Sequence, residues 1–327
     1  MKKEQVVGMA VGILEHCVIV YLKGYGLADR ESNAPVTAET MFRWASCTKP
    51  LTAIAALQLQ EKGQLDLEAD ARRYVPEFPD KGVTITVREL LCHQSGIVHY
   101  TNGQVIPSER IYTTPHPFAD PVNSLDKFKE SPLLFKPGEK YSYSSYGYVL
   151  LSAVVQRAGR QDFASQIEER IAKPLGLTTL QPDFPWVNIA HRASGYRLVN
   201  GRVLRSTDTD QSWKWGAGGY ISSIADFALF AKGLLAGQLV KPETQTRMWQ
   251  PQKTLDGKST VYGLGFEVQV DANGEVIKAV HDGAQEKTRT RLVIYSRLNH
   301  GVVVMTNCEW VNPAVFSTLI YAALAKR

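Results

Sequence analysis

Ser46 and Lys49 are residues whose types and spacing could do chemistry. A serine hydroxyl is a poor nucleophile until a neighbour takes its proton, and a lysine held one helical turn away in a dry site can take it. Three positions apart at a helix start, the two side chains stack on one face. The pattern Ser-x-x-Lys recurs at Ser124-Leu-Asp-Lys127, so spacing alone does not choose. Context does. Ser46 stands in Met41-Phe-Arg-Trp-Ala-Ser-Cys-Thr-Lys-Pro50, between an extended aromatic run and the apolar stretch Leu51–Leu59, where a nucleophile is rigidly held. Ser124 lies between Asp120-Pro121 and Ser131-Pro132 with no long apolar helix behind it. Two other readings of the first site stand beside this one. Ser46 could be a plain helix N-cap, and Cys47 could be the nucleophile, although it points about 100° away if Ser46 faces a cleft.

The elements that must position these residues begin with the chain as a whole. Its 327 residues with 44% hydrophobic content can bury a large core, as one big domain or two. Lysine plus arginine total 37 against 32 acidic residues, a net +5 with no basic block, which argues against nucleic acid as the main partner. No apolar run approaches the length of about 18 residues that spans a membrane. Lys2-Lys3 followed by Val6–Leu14 imitates a signal peptide, but Glu15-His16-Cys17 follows in place of a small-x-small cleavage site. A β-hairpin explains the stretch better, with Val6–Leu14, a turn at Glu15-His16, and Cys17–Lys23. The chain as given therefore reads as cytoplasmic, or as periplasmic or extracellular if a leader has been trimmed. Cys17, Cys47, Cys92 and Cys308 lack C-x-x-C or zinc spacing and sit among apolar residues. There is no H-E-x-x-H, Walker loop, G-x-G-x-x-G or G-x-S-x-G motif.

Hydrophobic periodicity and turn residues predict helices over Leu51–Glu61 (ending at Gly63), within Thr84–His93, over Tyr146–Ala158 (capped by Gly159) and over Gln161–Ala172 (stopped by Pro174 and Gly176). Ser222–Leu235, with Ser222 or Ser223 as N-cap, and Pro313–Lys326 complete the set. Residues 100–138 read as a long surface excursion. Val261–Val270, Glu275–His281, Thr290–Ser296 and Gly301–Thr306 read as strands, separated by turns at Asp271-Ala-Asn-Gly274 and Asn299-His-Gly301. Strands at both termini with helices between them imply an α+β fold, with one sheet built from the two chain ends.

Five ordered stretches together resemble the class C β-lactamase-like and penicillin-binding-protein family of serine hydrolases, whose Ser-x-x-Lys signature matches Ser46 and Lys49. They are Phe42–Pro50, Val87-Arg-Glu-Leu-Leu-Cys-His-Gln-Ser-Gly-Ile97, Lys136-Pro-Gly-Glu-Lys-Tyr-Ser-Tyr-Ser-Ser-Tyr-Gly-Tyr-Val-Leu-Leu151, Trp215-Gly-Ala-Gly-Gly-Tyr-Ile-Ser-Ser223 and His281-Asp-Gly-Ala284. His99-Tyr100 and Tyr143–Tyr148 look most like the family's mitochondrial β-lactamase-like serine protease branch. The resemblance spans nearly the whole chain. It implies a two-part fold: an antiparallel sheet flanked by helices (residues 1–45 together with 255–327) and a mostly helical part (46–254), with the site at their junction. Family members usually carry a helix before the first strand. This chain begins almost at that strand, so either a segment was trimmed or Pro313–Lys326 covers the sheet face with less help.

Carried over position by position, the resemblance makes Ser46 the nucleophile, Lys49 its base, and Tyr143 the proton shuttle to the leaving group. The flanking Pro137-Gly138 and Gly147-Tyr148 favour Tyr143 over Tyr141. A phenol near pKa ~10 needs cationic neighbours to shuttle at neutral pH, and Lys49 can be one. The backbone N–H groups of Ser46 and Ala284 would form an oxyanion hole, where one donor can be worth about 3 kcal/mol. Ser145, Asp282 and Gly283 fall at substrate-binding positions. Ser145 stands where the penicillin-recognising pattern has Asn. His281 stands where lysine is common, and as a group that titrates near neutrality it supports a Tyr143 anion less reliably. Asp282 stands where Thr or Ser is usual, and would repel a substrate carboxylate by about 1 to 4 kcal/mol at ~4 Å unless Arg289 or Arg291 offsets it. His93 reads as structural, and His116, which has no partner at ligand spacing, as surface loop. The expectation is a cofactor-free serine hydrolase that acts on a small ester, amide or peptide through an acyl-serine, as an esterase or peptidase. A D,D-peptidase or weak β-lactamase is the alternative within the family, and a non-catalytic scaffold the alternative outside it.

Overall fold

The computed structural model describes residues 4–324; Lys2-Lys3 and Lys326 lie outside them. Twelve strands are named in chain order: β1 (Gly8–Glu15), β2 (Val18–Asp29), β3 (Ala34–Pro35), β4 (Met41–Arg43), β5 (Gln181–Pro182), β6 (Tyr196–Val199), β7 (Arg202–Arg205), β8 (Tyr220–Ser223), β9 (Glu267–Val270), β10 (Val276–Gln285), β11 (Thr288–Tyr295) and β12 (His300–Thr306). Seven of them form one antiparallel sheet in the order β3-β2-β1-β12-β11-β10-β9, so both chain ends do build a single sheet. Its centre is the pairing of β1 with β12, in register from Met9 opposite Thr306 to Leu14 opposite Gly301.

Alternation along these strands feeds two apolar layers. Met9, Val11, Val293, Val302 and Val304 face the C-terminal helix Pro313–Leu324, packing with Phe316, Ile320 and Tyr321. Ala10, Leu14, Leu292, Ile294, Val303 and Met305 face the opposite way, into the large core shared with the Ile224–Leu235 helix. The first hairpin forms as expected, with its turn one residue later. His16 and Cys17 both take positive φ (50° and 63°), the two-residue geometry that matches strand twist.

Several expectations need correction. The Ser145–Gly159 helix is capped by Arg160 in the left-handed conformation, not by Gly159. The stretch after it starts as a helix at Phe163, passes through a π turn at Glu168–Ala172 and continues over Pro174 to Gly176. The π turn sits where proline lacks an N–H for the preceding turn. Within residues 100–138, Val122, Leu125 and Phe128 are buried in the main core, so this excursion is anchored. Val261–Leu264 is irregular, and strand β9 begins only at Glu267. Strands of two to four residues, β4, β8 and β5, form a second sheet that periodicity could not announce.

Candidate active site

The site starts from β4. This strand is buried throughout and pairs with β8, and the Trp44 N–H extends the pairing to Tyr220 O at 2.8 Å. Trp44 is fully buried: its ring packs on Phe227 and Phe230 (centroids 4.5 and 5.3 Å) and its Nε1 donates to Ser222 Oγ at 2.7 Å. Immediately afterwards Ala45 takes a left-handed φ of 47°, a conformation that costs a non-glycine residue on the order of 1 kcal/mol. The chain then enters a 3-10 turn, Ala45–Thr48, and the Lys49–Glu61 helix. Pro50 is tolerated in the first turn, where its missing N–H has no partner to lose. Ser46 thus sits at the bend between a pinned strand and a buried helix.

Strand β10 closes on this bend because Gly283 has no side chain. A Cβ there would lie 2.0 Å from Thr290 Oγ1 and 2.4 Å from Trp44 O. Gly283, expected to bind substrate, is instead buried against the Trp44–Ala45 backbone. Its neighbours Asp282 and Ala284 face a cavity of about 330 Å³ that also takes in Ser46, Tyr143, Ser145 and His281.

Lys49 is completely buried, and its Nζ lies 3.1 Å from Ser46 Oγ, 3.1 Å from Ser145 Oγ and 2.7 Å from Ala217 O. Burial pushes its pKa well below the ordinary lysine range, and the nearby Lys214 charge pushes the same way. Only the Ala217 carbonyl is obliged to accept. A neutral amine can donate to it and to Ser145 while its lone pair accepts the Ser46 hydroxyl. Ser145, expected to face substrate, therefore also helps to hold the lysine.

Tyr143 packs against His93 (ring centroids 4.2 Å), and Lys49 Nζ lies 4.9 Å from the centre of its ring. Burial raises its pKa far above that of a free phenol, while interaction with the Ser46 hydroxyl pulls back. Burial thus works against a standing tyrosinate at Tyr143 and in favour of a neutral amine at Lys49. Tyr141 lies at the cavity wall, pushed up to about 12 by burial, with no Ser46 interaction. His281 is corrected too. It is buried, its Nδ1 donates to the carbonyl of Asp282 and its Nε2 accepts from Tyr262 Oη, both at 2.9 Å. Burial, the largest cause, lowers its pKa to about 3, so it does not titrate near neutrality. Asp282 is exposed and receives two 2.6 Å contacts from Arg291 Nη1, its cross-strand neighbour, so Arg291 rather than Arg289 offsets its charge.

The rival nucleophiles are set apart. Cys47 is fully buried, donates to His281 O at 3.2 Å, and has its thiol pushed up to about 12 by burial. His93 accepts the Ser144 N–H at Nδ1 (3.1 Å), and His99 accepts that of Ser145 (3.2 Å), so both imidazoles fix the loop that carries Tyr143. His116 is exposed and stacks on Trp186, 3.8 Å between centroids. Among the described residues no group of three or more His, Cys, Asp or Glu side chains could hold a metal ion, and no helix is long and apolar enough to cross a membrane. Among the residues lining the cavity, sequence reasoning gave no site role to His99, Tyr100, Lys214 and Tyr262, although His99-Tyr100 had carried part of the resemblance. Lys214 had a signal, being a lone lysine between Trp213 and the Trp215-Gly-Ala-Gly motif.

The Beta-lactamase family model matches residues 1–326. The chain belongs to that family of serine hydrolases. It is 30% identical to the mouse (Mus musculus) "Serine beta-lactamase-like protein LACTB, mitochondrial", over 75% of this chain and 59% of that protein. It is 33% identical to "Esterase EstB" of Burkholderia gladioli, over 54% of this chain and 47% of that protein. The chain thus spans less than two thirds of these relatives' length. Among solved structures, the octameric penicillin-binding protein homologue from Pyrococcus abyssi shares the fold, with a TM-score of 0.82 and 24% identity over all of this chain and 75% of that one.

Proposed function

We propose that this chain is a serine hydrolase that cleaves an ester or amide bond through an acyl-Ser46 intermediate. The observation that carries the reading is the 3.1 Å approach of a completely buried Lys49 Nζ to Ser46 Oγ. A lysine held neutral by burial can accept the serine proton as Oγ attacks the carbonyl carbon. The carbonyl electrons move onto oxygen, where the backbone N–H groups of Ser46 and Ala284 receive the charge. When the tetrahedral species collapses, the leaving group takes a proton from Tyr143, and the Lys49 ammonium restores it. Water then attacks the acyl-serine by the same steps in reverse.

The esterase or peptidase reading over efficient β-lactam hydrolysis rests on Ser145, which replaces the longer amide arm of the penicillin-recognising pattern. Asp282 adds nothing to it, because Arg291 offsets its charge. Short p-nitrophenyl esters, nitrocefin and D-Ala-D-Ala peptides, assayed side by side, test this. Turnover of the esters well above nitrocefin is expected. Nitrocefin or the D-Ala-D-Ala peptide as the better substrate would favour a β-lactamase or D,D-peptidase, and no turnover of any would favour a scaffold.

A further inference from the structure

Groups of both charges line the cavity beside Ser46. Asp282 is held by Arg291, so its charge is offset. Lys214 is about nine-tenths buried, with its ammonium over the rings of Tyr100 (5.3 Å) and Trp213 (5.4 Å). Its nearest carboxylate is Glu286, on the exposed β10–β11 turn, at 3.9 Å, beyond hydrogen-bonding distance. Lys214 lines the cavity, and among the described residues no hydrogen bond to its ammonium is found, so a ligand there can supply one. Burial and the Arg43 charge lower the Lys214 pKa, and Glu286 offsets this only in part. Glu267 also lines the cavity, but it belongs to β9 and acts on Tyr141.

Tyr143, given the leaving group in the reading above, packs with His93 and faces His281, whose ring bonds Tyr262. Tyr100, Ser145 and Lys214 line the same cavity, with Tyr146 and Trp213 packed against Tyr100. With Tyr143 given to the leaving group, these residues are left to receive the acyl part of a substrate on Ser46.

Resting on the hydrolase reading above, we propose that Lys214 is the specificity-determining residue for a carboxylate borne by the acyl part of the substrate, so that the site prefers half-esters of short dicarboxylic acids. The aromatic rings of Tyr100 and Trp213 would cover the methylene chain, and the ammonium would meet the terminal carboxylate, supplying the partner it lacks. This runs opposite to the repulsion of a substrate carboxylate that Asp282 would exert if Arg291 did not offset it.

The test pairs p-nitrophenyl hemiglutarate with neutral p-nitrophenyl butyrate. Wild type should favour the charged ester in kcat/KM by about tenfold or more, the scale of a charge-assisted hydrogen bond, mainly through KM. Lys214→Met should bring the ratio close to one, and Lys214→Arg should keep it well above one. Binding to Ser46→Ala protein, followed by calorimetry with monophenyl glutarate and its neutral methyl ester, reads the same preference without turnover. Lys214→Met in that background should erase the difference. Equal handling of both esters by wild type, or a preference that survives Lys214→Met, overturns the proposal. So does a variant that only moves the acid limb of the pH profile, since Lys214 would then act on Lys49 alone. If neither ester is turned over but Ser46→Ala still binds the anionic ligand through Lys214, the hydrolase reading fails and this one stands.

Discussion

Ser46-x-x-Lys49 and Ser124-x-x-Lys127 are the same pattern with opposite fates. Ser46 lies in the 3-10 turn that leads into the Lys49 helix and lines the cavity, whereas Ser124 ends a short helix and caps the turn Leu125–Lys127. Ser124 is fully buried in the four-residue helix Pro121–Ser124, and its hydroxyl meets no hydrogen-bond partner. Its lysine turns away, with Lys127 Nζ 4.4 Å from the Phe118 ring and half-exposed. Lys49 turns inward and is completely buried on Ser46, Ser145 and the Ala217 carbonyl. The lesson is that spacing brings the two groups to one face, and burial decides whether the lysine becomes a base. Burial favours the neutral amine of a lysine over its ammonium, and Lys49 is pushed that way.

The comparison can be broken most sharply at the serines. Ser46→Ala should reduce ester turnover by about 10⁴-fold or more, while Ser124→Ala should leave kcat within about twofold. At the lysines the contrast is smaller. Lys49→Met should cost about 10²–10⁴-fold with the melting curve still cooperative, and Lys127→Met should change little. The pH profile carries the sign of the argument. Lys49 must be neutral to accept a proton, so activity should rise with pH through its depressed pKa and level off well below the range where free lysine titrates. His281, held near 3, should contribute no step between pH 5 and 8, and a rate that first appears only near pH 10 would contradict the assignment.

What Ser124 also lacks is a third group. Tyr143→Phe should lower kcat by about 10²–10³-fold with KM nearly unchanged, and an undiminished rate would move the leaving-group proton to Tyr141 or water. The smallest effect is expected at the cavity rim. Because Arg291 already neutralises Asp282, and that carboxylate is exposed, Asp282→Thr should alter discrimination between neutral and anionic esters by less than about threefold. A larger change would mean that the carboxylate acts on substrate directly.

How much of this was legible depended on the distance over which each fact is written. The Ser46–Lys49 pairing is local, and so are the first hairpin and the alternation in β11 and β12; all could be read from neighbouring residues. The ion pair of Asp282 with Arg291 requires the β10–β11 register, which places residues nine apart opposite each other. The neutrality of His281 requires knowing that the Lys49 helix and Tyr262 enclose it. Lys214 meets Tyr100 across more than a hundred residues of chain. Gly283 looked like a contact to substrate because its role, letting β10 touch the Trp44 carbonyl, exists only once the two ends of the chain have met.

The most direct measurement of the central claim is the position of a covalent adduct. The protein would be treated with a fluorophosphonate at neutral pH, digested, and the modified peptide located by mass spectrometry, with Lys49→Met treated in parallel. The account predicts one adduct, on Ser46, and strongly slowed labelling in Lys49→Met. An adduct on Ser124 or Cys47, or labelling of Ser46 at the same rate without Lys49, would contradict it.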